Sequence, residues 1–149
     1  MRDIYRLIDA ICEAYDNPAW KPKDGKTYCN YVVNFICKQF GYTAFDTKPW
    51  PFLANSMVQH MRKNRTEWMA IEPGFAQDFA NRGSLVVAGQ EREGHGHVCV
   101  IRPGYPVESA KWDKRVPKVM NIGKDVFIAK AVNWAFEKEP EYFVLLTSA

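Results

Sequence analysis

The period of the apolar residues changes once along this chain, and that change constrains the fold more than any other feature of the sequence. In the first half the apolar positions recur at helical spacing. Ile4, Leu7, Ile8, Ile11, Cys12 and Tyr15 follow Asp3, a good N-cap, and predict an amphipathic helix that ends before Asn17-Pro18. After a Pro-, Lys- and Gly-rich loop over 18–26, Cys29, Val32, Val33, Ile36, Cys37 and Phe40 mark a second helix with Gly41 as its stop. Leu53, Ala54, Met57, Val58 and Met61 predict a third, and Phe75, Ala76, Phe79 and Ala80 a short fourth ending near Gly83. Beyond this point the runs 85–88, 97–102, 116–121 and 142–147 are short, rich in β-branched or aromatic residues and bounded by Gly or Pro, as strands are. Between the last two, Val126, Phe127, Ala129, Ala131, Val132, Ala135 and Phe136 read as one more helix. Helices followed by consecutive strands predict an α+β domain over 1–149. Its N-terminal half is helical, and its second helix packs on a small, mostly antiparallel sheet.

Composition narrows the classes of function. A chain of 149 residues, 47% hydrophobic, is sized for one core. A formal charge of +3 is too small a bias to argue for nucleic acid, yet it does not repel an anionic polymer. No apolar run approaches the ~20 residues that span a bilayer, and Asp3, Arg6 and Asp9 interrupt the first apolar stretch, so neither a membrane span nor a signal peptide is expected. Cys12, Cys29, Cys37 and Cys99 show no CxxC pairing, which fits reduced thiols.

Of the four cysteines, only Cys29 falls in the first turn of a predicted helix, where unpaired N–H groups and the helix dipole favour a thiolate. Cys12 and Cys37 fall on apolar helix faces, and Cys99 within an apolar strand. A buried packing role remains open for Cys29 on position alone. A nucleophilic thiol needs a base, and the chain has three histidines. His60 flanks the apolar stripe of the third helix. His95 and His97 bracket Gly96 at the entry to a strand on which His97 shares a face with Cys99 and Ile101. The same alternation leaves open a zinc site built from His95, His97 and Cys99.

The run Thr27-Tyr28-Cys29-Asn30 opening a helix, with Gly96-His97-Val98 opening a later strand, resembles the CHAP and NlpC-type papain-like cysteine amidohydrolases. The segments 80–87 and 116–123 are similar to the family's strands before and after the histidine strand, so the resemblance covers about residues 27–123. It implies a papain-like fold, no cofactor, and hydrolysis of peptide or amide bonds in bacterial peptidoglycan stem peptides or a related amide-linked substrate. Cys29 would be the nucleophile, His97 the base and Asn121 the residue orienting the imidazole. The oxyanion hole is expected from the backbone N–H of Cys29, with a second donor from Tyr28 or Asn30. Trp20, Trp50, Phe52, Asn30 and His95 are candidates for the substrate groove, although aromatic loop residues also serve to cap cores. With the wall outside the cytoplasmic membrane and no visible export signal, delivery by a lysis, phage-tail or secretion machine is expected, with a delivery or immunity protein as partner. A member of the family that only binds cell wall or protein is the remaining alternative.

Overall fold

The computed structural model describes residues 4–146. The first helix, α1 (Ile4–Asp16), buries Leu7, Ala10, Ile11 and Ala14, one stripe at helical spacing. Its expected N-cap, Asp3, lies outside the described residues, as does Thr147 at the end of the last expected strand. Asn17 closes α1 and opens a single 3-10 turn at Pro18–Trp20, its side chain accepting from the Ala19 N–H at 2.9 Å. Helix α2 (Cys29–Gln39) buries Cys29, Val32, Val33, Ile36 and Cys37. It ends where Gly41, at φ +77°, allows the Tyr42 N–H to reach back to the Cys37 carbonyl at 3.0 Å. Helices α3 (Ala54–Lys63) and α4 (Pro73–Asn81) match their apolar spacing, with Gly83 just beyond α4. No helix among the described residues is long and apolar enough to cross a membrane.

Eight strands follow from the second period and from segments it does not reveal: β1 (Trp68–Ile71), β2 (Val86–Gln90), β3 (His97–Ile101), β4 (Val107–Ser109), β5 (Lys114–Val116), β6 (Lys118–Ile122), β7 (Val126–Ala131) and β8 (Glu141–Leu145). Six of them form a sheet in the order β1-β8-β2-β3-β6-β7, with every neighbouring pair antiparallel, while β4 and β5 make a separate hairpin. The fold is therefore α+β, with an antiparallel sheet against which the helices pack.

The helix expected over 126–136 is instead strand β7 followed by a 3-10 turn at Val132–Trp134. Phe127 and Ala131, the buried residues of β7, are four apart, a spacing that puts two side chains on one face of a helix or of a strand alike. Here the open edge of β6 decides, because its backbone groups need partners that only a strand supplies. The pairing is irregular: Val119 faces Lys130 and Asn121 faces Phe127, so Ile128 and Ala129 together oppose Met120. This bulge sits next to Asn121 and locally changes the twist of the pair.

Strand β3 is buried along its whole length in the middle of the sheet, and α2 packs on it. The first turn of α2 and the first residue of β3 thus meet at one end of the core.

Candidate active site

Cys29 is the first residue of α2, and Tyr28 caps the helix without a side-chain hydrogen bond, so the N–H groups of the first turn remain unspent. The donors that reach the sulfur are the backbone N–H groups of Val98, Asn30 and Cys29 itself. Because Val98 follows His97, the thiol lies at the same end of β3 as the imidazole. Cys29 is 8% exposed, and burial raises its pKa despite these donors and the nearby positive charge of Arg92. This corrects the expectation of a depressed thiol: the helix terminus acts in the direction argued from the sequence, and desolvation outweighs it.

His97 is 9% exposed, and its pKa is held down to about 4, chiefly by burial, with the Asn121 contact acting against the shift and the Arg92 charge adding to it. At neutral pH the pair is a thiol and a neutral imidazole. Asn121, 2% exposed on β6, meets His97 Nε2 through its Oδ1 at 2.5 Å. Its Nδ2 donates to the Asp125 carbonyl at 2.9 Å in the turn between β6 and β7. That second bond decides the amide's orientation: with Nδ2 spent on a carbonyl, Oδ1 faces the ring and Nε2 must carry the proton. The Nδ1 lone pair is then the ring's proton acceptor.

Two residues beyond the sequence reading hold the ring from other sides. Phe136 packs against it with centroids 5.1 Å apart. Gly123 lies so close that a Cβ there would stand 2.8 Å from His97 Cε1.

A cavity of about 460 Å³ opens beside the sulfur, walled by Tyr28, Tyr31, Trp50, Asn55 and His95, with Lys26 at its edge. The groove candidates separate here. Trp50, 57% exposed, and His95 line the cavity. Trp20 does not; its ring packs on Phe35 at 5.1 Å. Phe52 packs on Phe45 and His60, at 5.5 and 5.7 Å, and takes the core-capping role instead. Asn30 borders the cavity, but its side-chain amide donates to the Phe52 carbonyl at 3.0 Å and fixes the aromatic loop. Tyr28 is a wall residue packed edge-on against Tyr31 and is not among the donors to the sulfur.

The loop before β3 is clasped by Asn55 of α3. Its Oδ1 accepts from the Arg92 N–H at 3.0 Å and its Nδ2 donates to the Arg92 carbonyl at 2.7 Å. Gly96 permits this approach, since a Cβ there would collide with Asn55 Oδ1 and stand 2.8 Å from the Gln90 carbonyl oxygen. The glycines around His95 were the one sequence signal of such crowding; nothing local in the sequence marks Asn55.

The zinc ligand set is not assembled. Among the described residues no three His, Cys, Asp or Glu side chains are grouped to hold a metal ion. His95 lies on the cavity wall, while His97 is committed to Asn121. Cys37 and Cys99 are buried with pKa values pushed up by desolvation, as packing thiols are, and Cys12 is half-buried on α1.

Compared with known proteins, the sequence matches no protein-family model and no curated protein.

Proposed function

We propose that this chain is a papain-like cysteine amidohydrolase that cuts peptide or amide bonds in bacterial peptidoglycan, with Cys29 as nucleophile and His97 as its base. The observation that carries the reading is the locked Asn121 amide. It fixes the imidazole in the tautomer whose Nδ1 can accept a proton, beside a thiol at the start of a helix.

In this reading the substrate carbonyl enters over the sulfur. The thiol proton passes to His97 Nδ1 as Sγ bonds to the carbonyl carbon, and the negative charge moves onto the carbonyl oxygen. The N–H groups of Cys29 and Asn30, already aimed at the sulfur, are the nearest donors for that oxygen. The imidazolium, its Nε2–H held by Asn121, then gives its proton to the leaving amine as the carbon–nitrogen bond breaks. Water, deprotonated by the neutral ring, hydrolyses the thioester, releasing a carboxylic acid and the free thiol.

The choice of peptidoglycan rests on the resemblance of residues 27–123 to CHAP and NlpC-type enzymes. An aromatic-walled cavity suited to a peptide chain and a slightly basic protein are consistent with it. Such a function calls for transport to the wall by a lysis, phage-tail or secretion machine, with a delivery or immunity protein as partner. The test is digestion of purified peptidoglycans followed by mass analysis of the released fragments. New amine and carboxyl termini are expected with the wild-type protein and none with Cys29→Ala, whose fold should be unchanged. Equal release by both proteins refutes the assignment, and no release by either favours a module that only binds.

A further inference from the structure

Arg92 is a cation held beside the Cys29–His97 pair with no carboxylate partner among the described residues. Its backbone is clasped by Asn55, and its Nε donates to Gln90 Oε1 at 2.9 Å. Its guanidinium carbon lies 5.8 Å from the centroid of Phe136, the ring that itself packs on His97. No carboxylate among the described residues forms an ion pair with it. Arg62 is the contrast, since its guanidinium is saturated by Glu91 and Glu141. Arg92 keeps its two terminal NH₂ groups, which can grip a carboxylate end-on, on an exposed loop.

The position of Arg92 says which half of a substrate it would meet. The cavity beside the sulfur is walled by residues 25–31, 50, 53–56 and 94–96, and neither Arg92 nor Phe136 lies on it. Phe136 packs on His97 and Arg92 lies beside Phe136, which puts both on the His97 side of the sulfur, and His97 is the group that protonates the leaving amine if the proposed mechanism holds. Resting on that reading, we infer that Arg92 is a specificity residue that binds a carboxylate on the amine side of the scissile bond. The preferred substrates are then amides whose leaving amine carries a nearby carboxylate. The charge of Arg92 acts on both Cys29 and His97, in keeping with this placement.

The test uses two alkylating probes of nearly equal shape, iodoacetate and iodoacetamide. In each the Cys29 sulfur bonds to the CH₂ carbon as iodide leaves and the thiol proton is lost to His97 and then solvent. Only iodoacetate carries a carboxylate. The ratio of the two rate constants cancels any change in thiolate content caused by the substitution itself. Arg92→Gln should lower the iodoacetate-to-iodoacetamide ratio roughly 10-fold, as expected for one unit charge within several Å in a partly screened site. Arg92→Lys should keep most of the ratio, and 1 M salt should erode it in the wild type. An unchanged ratio in Arg92→Gln overturns the inference. So does a ratio that falls with Lys26→Gln instead, which would move the anion site into the cavity. With the rates read at Cys29 by peptide mapping, because the half-buried Cys12 also takes label, the two levels of the argument separate: a Cys29 rate that His97→Ala leaves unchanged refutes the thiol–imidazole pair, whereas a His97-dependent rate with an unchanged ratio refutes only the role of Arg92.

Discussion

Replacing Gly123 by alanine should impair the stability of this protein and, if the proposed reaction holds, its turnover, although the new side chain is a single methyl group. The added Cβ would stand 2.8 Å from His97 Cε1, against an ordinary carbon–carbon contact of about 3.5–4.0 Å, so the ring must yield by roughly 0.7 Å or more. It has little room, because Phe136 packs on it and Nε2 is tied to Asn121 at 2.5 Å. Overpacking of this kind costs about 1–3 kcal/mol. A displacement approaching ~1 Å in a positioned base lowers kcat by roughly 10- to 100-fold. The sign is informative, because alanine at an unstrained glycine normally stabilises by about 0.4–1 kcal/mol through the unfolded chain. Gly74 in the first turn of α4 supplies the comparison: a Cβ there meets nothing within 4 Å, and Gly74→Ala should be neutral or slightly stabilising. Thermal melts give the stability difference, and kcat with KM on a released peptidoglycan fragment gives the catalytic one, with KM expected to change little. Wild-type melting and wild-type kcat in Gly123→Ala would refute the argument that the glycine sets the ring's position.

Two further outcomes follow from the buried imidazole. Its folded pKa of about 4 lies below the ordinary 6.5, so as pH falls below 6.5 the unfolded chain takes up this proton first and stability is lost until about pH 4. That gap, at about 1.4 kcal/mol per pH unit, corresponds to roughly 3 kcal/mol, and denaturant melts of wild type and His97→Ala across this range should differ in slope accordingly; parallel slopes would contradict the burial argument. Asn121→Ala should lower kcat about 10- to 100-fold by freeing the ring's tautomer and angle, with substrate affinity largely kept. Asn121→Asp should recover part of the rate while moving the acidic limb of the kcat/KM profile to higher pH, because a carboxylate favours the protonated ring. An unmoved profile in the Asp variant, or full activity in the Ala variant, would remove Asn121 from the site.

What was legible in the sequence is what local periodicity controls. Helices α1 to α4 and strands β2, β3, β6 and β8 each carry enough apolar residues at one spacing to declare their type. Strand β1 has only Trp68 fully inside, and β4 and β5 are three residues long with a single buried residue each, so no pattern could mark them. Strand β7 was misread because its buried pair suits both periods and its true partner, the edge of β6, is a tertiary feature. The site divides in the same way. Cys29 and His97 stand out because each begins an element, whereas Asn121 was reached through the family resemblance. Gly123, Phe136, Asn55 and Arg92 converge on the ring and its loop through contacts that no local spacing encodes.

The placement of charge ties these residues into one device. At rest neither member of the Cys29–His97 pair is ionised, because burial raises the thiol and lowers the imidazole. Moving the proton between them would create two charges in a site nearly closed to water, which is unfavourable unless each charge meets prepared partners. The sulfur has three backbone N–H groups and the field of Arg92, and the ring has the Asn121 oxygen on Nε2. These partners fall short of ionising the resting pair. In the proposed reaction a bound amide would change the balance, because its carbonyl oxygen would take over the negative charge as the sulfur–carbon bond forms, leaving the imidazolium to be discharged onto the leaving amine. Stabilisation in that reaction would be greater for the transition state than for the free protein, the condition under which fixed dipoles accelerate a reaction. It also follows that a buried neutral thiol is a slow target for electrophiles in solution, so on the proposed reading restraint without substrate and turnover with it would arise from the same burial.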